Sequence, residues 1–350
     1  MLKSFSTLFC NLILLVITTN AFAEITRYEA STDIRFQPTL KIDLESWLLD
    51  KNGKPTYQLK KILGFGFDGV VFLVQDSKLN SFALRLPRIQ FSGGFNENYE
   101  KQQRVYQLGH EFSDLFLKPV ELVNLDSASK NEVTTGVLLP LAESPFENKE
   151  LNFQEREQLV HSALKSILPR YLKFSSKGYL FNDLALRNFV QFKGDFYLID
   201  LERVSALESS YHKIGDLNIA SPEFFLQDKL HSTSDMFSLA VSISKFLFKE
   251  EVDFRFYHLG RNPFTAAIMA SEFAGYFQRD HYQKAYEQNL FEQNKAMLLE
   301  KVKTNIKSEV IYNFLNAALE VDPKKRAIHL QSFTNKHSIK SSVYFCRSLF

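Results

Sequence analysis

Three oxygen-bearing side chains lie close together in the second half of the sequence. Asp183 and Asn188 are five positions apart in NDLALRN, and Asp200 ends the apolar run FYLID twelve positions after Asn188. Carboxylate and amide oxygens are the hard ligands that Mg²⁺ prefers, so Asn188 and Asp200 are candidate metal ligands. Asp183 could accept a hydroxyl proton or orient an attacking oxygen. Each residue alone is also a common capping or turn residue, so this interpretation depends on their joint spacing.

A glycine-rich stretch in the first half, LGFGFDGVVFLV, contains Gly64, Gly66 and Gly69 in a G-x-G-x-x-G pattern. Glycines at this spacing let backbone N–H groups approach phosphates, although the pattern alone also fits a simple turn between two strands. Arg85 follows on the next strand-like run, SFALRLP. It is either a phosphate-binding cation or an ordinary surface arginine on a strand.

The surrounding apolar pattern predicts two different kinds of structure. From Tyr57 to Ala142 it predicts five strands and one helix, ENYEKQQRVYQL, with a hairpin turn at DSKLN. After Ser144 it predicts a helix capped by Asn152, a short hairpin, and mostly helices from Asp235 to about Leu330. The fold class is therefore α+β: a small antiparallel β lobe with one main helix, then a larger, mostly helical lobe.

Residues 1–23 have the pattern of a secretory signal peptide. Lys3 precedes an apolar run from Leu8 to Ile17, and small residues follow at Ala21 and Ala23. We expect cleavage before Glu24 and export to a periplasm, the medium or a secretory lumen; an uncleaved N-terminal anchor is the alternative. No later stretch is long and apolar enough to predict a stable membrane span.

Composition and charge exclude several classes of protein. The chain has 350 residues, of which 45% are hydrophobic, and a net charge of +2, so nothing favours non-specific nucleic-acid binding. With the leader removed only Cys346 remains, so no internal disulfide is possible. The eight histidines show no metal-binding spacing such as H-E-x-x-H.

In the lead-in, residues 24–56, the patch KIDLESWLL around Trp47 is expected to dock on the small lobe.

Taken in order, the motifs resemble those of the eukaryotic-like protein kinase superfamily. The resemblance covers roughly Tyr57 to Leu330 and is carried by GFGFDGVV, ALR, NDLALRN, IDLE, SPE, SDMFSLA and DPKKR. It implies a two-lobed kinase-like fold. After the predicted signal peptide at 1–23 and an extension at 24–56, we therefore expect a small lobe at 57–143, a large lobe at 144–330 and a tail at 331–350.

The resemblance also implies roles for individual residues. Asp183 would be the catalytic base, with Arg187 beside it as in tyrosine-directed members, while Asn188 and Asp200 would hold Mg²⁺, or Mn²⁺ in its place. Three residues would be structural, with Glu223 paired to Arg326 and Asp235 accepting backbone N–H groups of the catalytic loop. The residues implied to bind ATP are Gly64, Gly66 and Gly69 over the phosphates, Phe67 at the loop tip, Val71 and Ala83 around the adenine, and Arg85.

Four departures from the family pattern bear on activity. Arg85 stands where the family has a lysine, and the two cations are not equivalent at a tight phosphate site. The glutamate partner of that cation is expected to be Glu100, although another helix register would put Lys101 there. Glu202 replaces the glycine of D-F-G. Asn182 replaces the arginine that reads a phosphorylated activation loop, so we expect that loop phosphorylation does not switch this protein.

Two functions follow as expectations. The first is an exported Mg·ATP-dependent phosphotransferase that moves the γ-phosphate to a hydroxyl, on protein Ser, Thr or Tyr, with glycan and small-molecule acceptors as further options. The second is a pseudokinase that serves as a nucleotide- or protein-binding scaffold. The departures at Arg85 and Glu202, and the loss of the H-R pair before Asp183, favour the second; the retained Asp183, Asn188 and Asp200 favour the first.

Overall fold

The structure is a computed structural model and describes most of the chain from Trp47 onward. The described residues are 47–49, 54–65, 69–87, 95–126, 133–209, 215–216, 219–227, 230–249, 290–337 and 339. The predicted leader, Gly66, Phe67 and Cys346 lie outside them. No helix in this described part combines the length and apolar character that a membrane crossing requires.

Two compact units divide the chain, and each is described by itself. Unit 1 comprises the described residues up to Gln107 together with Lys118–Leu141. Unit 2 comprises Leu108–Leu117 and the described residues from Ala142 onward. The change of unit after Leu141 lies close to the change of sequence pattern at Ser144.

Unit 1 is built on a six-stranded antiparallel sheet in the order β1-β2-β3-β4-β6-β5. The five predicted strands are all present. The sixth, β1, comes from the patch expected only to dock: Trp47 pairs with Gln58, and Leu48 packs against the core. The strands are β1 (Trp47–Leu49), β2 (Pro55–Phe65), β3 (Gly69–Gln75), β4 (Ser81–Pro87), β5 (Glu121–Asp126) and β6 (Val133–Pro140).

The hairpin between β3 and β4 has the predicted turn chemistry. The Asp76 carboxylate accepts hydrogen bonds from the backbone N–H groups of Lys78, at 2.8 Å, and Asn80, at 2.9 Å. This turn fixes the register, which sets Val71 opposite Arg85. Residues on one face alternate with residues on the other, since successive side chains point to opposite sides of a strand.

One face of this sheet forms the core of unit 1, and the other carries the predicted ATP-binding residues. The core face is apolar and buried; Val71, Ala83 and Arg85 lie on the opposite face and are only half-buried. The predicted helix is present as α1 (Phe95–Glu111), whose last four residues belong to unit 2. The core cluster consists of Tyr57, Leu59, Val70, Phe72, Val74, Leu84, Leu86, Val123 and Leu138.

Unit 2 is mostly helical, which together with the sheet of unit 1 confirms the α+β class. Its longest helix begins with a capping box: the Asn152 side chain accepts from the N–H of Glu155, whose carboxylate accepts from the N–H of Asn152. Helical structure continues to Lys336, beyond the predicted end near Leu330. The helices are α2 (Phe153–Ser176), α3 (Pro222–Gln227), α4 (Ser234–Phe248), α5 (Leu290–Asn305), α6 (Glu309–Ala318) and α7 (Pro323–Lys336).

The described part of unit 2 also contains short strands and 3₁₀ turns. The predicted hairpin is formed by β8 (Phe189–Phe192) and β9 (Asp195–Leu198), while β7 (Tyr179–Leu180) pairs with β10 (Ser205–Ala206). The 3₁₀ turns are Pro145–Glu147, Leu186–Asn188 and Leu201–Arg203.

Phenylalanine rings fill the centre of unit 2. Phe112 and Phe116 belong to unit 2 and lie in the segment between α1 and β5. Both meet Phe174 edge-to-face, at centroid distances of 5.0 and 5.2 Å. Phe116 also stacks on Phe181 at 6.0 Å. Edge-to-face and offset pairs are the favoured geometries of aromatic rings. Several of the many phenylalanines thus pack together in the core, and one of them, Phe181, lies two residues before Asp183.

A buried ion pair joins α3 to α7, as the family resemblance implied. Arg326 donates from Nη2 to Glu223 Oε1 at 2.5 Å, and the two side chains are 0% and 1% exposed. Arg326 also donates to the Thr233 hydroxyl and to the Glu320 carbonyl, both at 3.1 Å. Because the guanidinium and the carboxylate are both buried, removal of either one leaves the charge of the other uncompensated.

A second buried carboxylate holds the loop that carries Asp183. Asp235 accepts from the backbone N–H of Phe181 at 2.6 Å, from that of Asn182 at 2.9 Å, and from the Tyr171 hydroxyl. This confirms the implied contact between Asp235 and backbone N–H groups of the loop that carries Asp183. Burial raises the pKa of Asp235 to about 6, although all three hydrogen bonds act in the opposite direction.

Replacement of Arg326 by Met should destabilise unit 2 strongly. Because Glu223 would remain buried without its cation, we expect the free energy of unfolding in urea to fall by about 3–5 kcal/mol. Lys173→Met is the matched control, since it removes a cation from an exposed ion pair with Asp114 in the same unit. A loss no larger than that of the control would contradict a structural role for the Glu223–Arg326 pair.

Asp235→Asn should lower stability in a pH-dependent way. At neutral pH we expect a loss of about 2–3 kcal/mol, because an amide NH₂ group cannot accept the bonds that the carboxylate accepts. A folded-state pKa raised to about 6 means that the native state binds the extra proton, so this group stabilises the protein most at low pH. The gap between wild type and variant should therefore widen as pH falls from about 6 to about 4. A constant or narrowing gap, measured beside Asp114→Asn, would contradict this.

Candidate active site

The loop Phe181–Asn188 brings the first group of predicted residues together in unit 2. Its backbone is fixed by Asp235 at one end and by a 3₁₀ turn at Leu186–Asn188 at the other. Within the loop the N–H of Ala185 donates to the Asp183 carbonyl at 2.8 Å. Asn182 has φ of 64°, in the left-handed region that asparagine tolerates better than most residues. This turn separates the anchored residue Phe181 from the reactive group on Asp183.

Asp183 is held by donors on both carboxylate oxygens. Oδ1 accepts from Nη2 of Arg187, and Oδ2 accepts from the Asn188 side-chain amide at 3.2 Å. The residue is only 5% exposed. Burial raises the pKa of Asp183 above its ordinary value, and the nearby charge of Asp200 raises it further, while Arg187 and Asn188 oppose the shift. A buried, oriented carboxylate with a raised pKa is suited to accept a proton.

The two candidate metal ligands are brought next to each other by the hairpin. The N–H of Ile199, the residue before Asp200, donates to the Asn188 carbonyl at 2.9 Å. The side-chain nitrogen of Asn188 donates to the Asp183 carbonyl at 2.8 Å, which leaves its Oδ1 as the atom suited to a cation. Asp200 has φ of 67°, so the chain turns sharply after the strand.

One amide and one carboxylate fit Mg²⁺, which is usually held by one or two protein oxygens together with phosphate and water. Within the described residues no group of three or more His, Cys, Asp or Glu side chains could hold a metal by itself.

Arg187 joins Asp183 to a residue that the sequence reading did not single out. Its Nη1 donates to the Asp216 carboxylate at 3.2 Å, while Nη2 engages Asp183. The residue before Asp216, Gly215, lies directly against Asp183: a Cβ added to Gly215 would be 2.1 Å from the Asp183 Cγ. The only sequence signal was the isolated Gly-Asp pair eight and seven positions before Glu223, which no local pattern connects to Asp183.

Asn182, which replaces an arginine of the family pattern, attaches its loop to the segment after Asp200. Its side-chain nitrogen donates to the Arg203 carbonyl at 2.6 Å and to the Ser205 hydroxyl at 2.8 Å. The segment after Asp200 is thus attached to the loop by neutral hydrogen bonds. Glu202 lies half-buried in the 3₁₀ turn of that segment.

Three of the predicted ATP-binding residues form a single cross-strand row in unit 1. Gly64 pairs with Val71, and Val71 pairs with Arg85. Ala83 lies two residues from Arg85 on the same face of β4 and pairs with Leu73. Among the residues that the structure describes, a Cβ added to Gly64 would meet nothing within 4 Å.

The Arg85 side chain lies against the last glycine of the loop motif. The position that a Cβ on Gly69 would take is 3.5 Å from both Cζ and Nη2 of Arg85. The same Cβ would be 2.7 Å from the backbone oxygen of Leu86, closer than real contacts allow. Gly69 is therefore required by close approach of the next strand, and the cation of Arg85 lies beside the backbone that the glycine motif exposes.

The residues of helix α1 around Glu100, the predicted partner of Arg85, differ in their burial. Glu100 and Tyr99 lie on its exposed side, Lys101 is half-buried, and Gln102 is completely buried. Gly66 and Phe67, the middle of the glycine loop, lie outside the described residues.

Comparison with known proteins identifies the fold. No protein-family model matches the chain, and no curated protein matches it significantly. Among solved structures, the crystal structure of the PF14_0431 kinase domain matches with a TM-score of 0.56 and 15% identity. The match covers 91% of this chain and 100% of the other. At this identity the likeness concerns fold alone, and it shows that the chain has a protein-kinase-like fold.

Proposed function

We propose that this protein is an exported Mg·ATP-dependent phosphotransferase that moves the γ-phosphate of ATP to a hydroxyl group. The observation that carries the proposal is the arrangement around Asp183 in unit 2. A buried carboxylate, an amide bonded to it and a second carboxylate close by are the groups that phosphoryl transfer requires. The kinase-like fold supports the same reaction class.

Each residue has a distinct task in this scheme. Asp183 accepts the proton of the acceptor hydroxyl, because its carboxylate is oriented by Arg187 and Asn188 and burial raises its pKa. Asn188 and Asp200 hold Mg²⁺, for which Mn²⁺ can substitute. When bound, the metal neutralises charge on the phosphate oxygens.

Unit 1 supplies the contacts to the nucleotide. Arg85 provides a permanent positive charge beside the Gly69 backbone, where phosphate oxygens can accept from both N–H groups and guanidinium. Val71 and Ala83, on the same sheet face, provide apolar contact for the adenine. The acceptor is a hydroxyl on protein Ser, Thr or Tyr in the simplest case, and a glycan or small molecule meets the same chemical requirement.

A second candidate is a pseudokinase that binds a nucleotide or a protein without turnover. Asp183 is 5% exposed, and the Gly215 backbone lies directly against its carboxylate. An acceptor hydroxyl would have to reach Asp183 past this segment. Exposure of Glu100, and the replacement of the family's lysine by Arg85, favour the same alternative.

Asp183→Asn distinguishes the two candidates. We expect it to lower transfer from γ-labelled ATP by about 100-fold or more, because a positioned general base contributes about 10²–10⁴-fold. Label is followed into protein and into free phosphate, with Mg²⁺ and separately with Mn²⁺. Asp114→Asn, an exposed surface change in the same unit, is the control and should leave the rate unchanged.

Equal turnover by wild type and Asp183→Asn would contradict the enzyme. If neither protein turns over ATP while both are stabilised against heat by Mg·ATP, the pseudokinase is the correct function. In that case, the stabilisation of the protein against heat is the measurement with which candidate binding partners should be tested.

Arg85→Lys tests whether the arginine is adapted to its site. We expect at least a tenfold lower kcat/KM for ATP, since one charge-assisted hydrogen bond is worth about 1.5–3 kcal/mol and an ammonium cannot reproduce the planar fork. Lys60→Arg, an exchange on β2 in the same unit, controls for a general effect of cation exchange. A rate that rises many-fold in Arg85→Lys would mean that the native site is an impaired one.

A further inference from the structure

Arg187 links Asp216 to the candidate active site. Arg187 donates from Nη1 to Asp216 at 3.2 Å and from Nη2 to Asp183, so one guanidinium bridges two carboxylates. Arg187 is four residues after Asp183, and its side chain is 45% exposed. Asp216 is 25% exposed and comes from a segment 29 residues further along the chain than Arg187.

The backbone before Asp216 is fixed to the same loop. The N–H of Gly215 donates to the Asn182 carbonyl at 3.0 Å. Any side chain at position 215 would collide with Asp183, since a Cβ there would be 2.4 Å from both Cβ and Oδ1 of that residue. The position of Asp216 relative to Asp183 is therefore set by a backbone contact that only glycine permits.

We propose that Asp216 is a positioning residue for Asp183: it holds Arg187 from the far side, so that the guanidinium fixes one oxygen of the reactive carboxylate. This rests on the proposed phosphotransferase function and assigns that site a further residue. A long, half-exposed arginine held at one end retains many rotamers, and a second carboxylate removes that freedom. With Asn188 on the other oxygen, Asp183 is then fixed in a single orientation.

The test uses a set of variants in the complete protein. Asp216→Asn should lower kcat about tenfold, because small displacements of a reacting group reduce rates by one to two orders of magnitude, while KM for ATP stays unchanged. Asp216→Glu, which keeps the charge, should restore part of the loss. Asp195→Asn, in another Arg–Asp pair of unit 2, should leave kcat unchanged.

A double variant makes the route of the effect explicit. If Asp216 acts through Arg187, Asp216→Asn should have no further effect on kcat in an Arg187→Met background. An independent effect of the two changes, or an unchanged kcat in Asp216→Asn alone, would overturn the proposal while leaving the phosphotransferase intact.

A readout without turnover separates this proposal from the proposed function. The side-chain N–H signals of Arg187 in nitrogen-15 NMR should be visible in wild type and lost in Asp216→Asn, because only a restrained guanidinium is protected from rapid exchange. Retention of those signals in Asp216→Asn would overturn the proposal even in a protein that transfers no phosphate. If wild type is inactive but shows the Arg187 signals, and Asp216→Asn loses them, the phosphotransferase is refuted while the restraint of Arg187 by Asp216 is supported.

Discussion

The candidate site in unit 2 depends on the hydrogen bonds that the buried carboxylate of Asp235 accepts from the backbone. This carboxylate accepts two consecutive backbone N–H groups, those of Phe181 and Asn182, and thereby determines how the chain enters the loop that carries Asp183. An unpaired N–H group in this buried place would cost free energy, so these two hydrogen bonds favour the observed conformation of the loop. The acid–base chemistry proposed for Asp183 is thus supported by another acid, whose own pKa is raised by the same burial.

Unit 1 meets a different constraint, which is the close approach of neighbouring strands. The Gly69 backbone lies so near to β4 that no side chain fits between them, and the Arg85 guanidinium occupies the adjoining space. Sheet register does the rest, since it puts Gly64, Val71 and Arg85 in one row. In each unit, therefore, a glycine that leaves room for a neighbour accompanies the charged group proposed to act.

Local patterns in the sequence predicted much of this, and their limits have a physical basis. Strand alternation and the Asn152 cap follow from short-range geometry, and NDLALRN places Asp183 beside Asn188 because a tight loop brings residues five apart into contact. The pair Glu223–Arg326 could be predicted only through the family resemblance, since 103 residues separate its members. Asp216 was missed because its contact with Arg187 is tertiary. The register of α1 was left open between Glu100 and Lys101, as amphipathic spacing does not specify which polar residue turns inward, and Gln102 is the one buried.

The left-handed backbone at Asp200 has a consequence for how this sequence can drift over time. At a φ of 67° a β-branched or bulky side chain is strained, whereas Asp, Asn and Gly are tolerated. The main chain thus favours a short set of residue types at position 200, whether or not a cation is ever bound there. Of these, Asn would retain one oxygen ligand but lose the charge, and Gly would lose both. A lineage that abandoned catalysis could therefore change this position to Asn or Gly with little backbone strain, and each of these changes leaves a recognisable chemical signature.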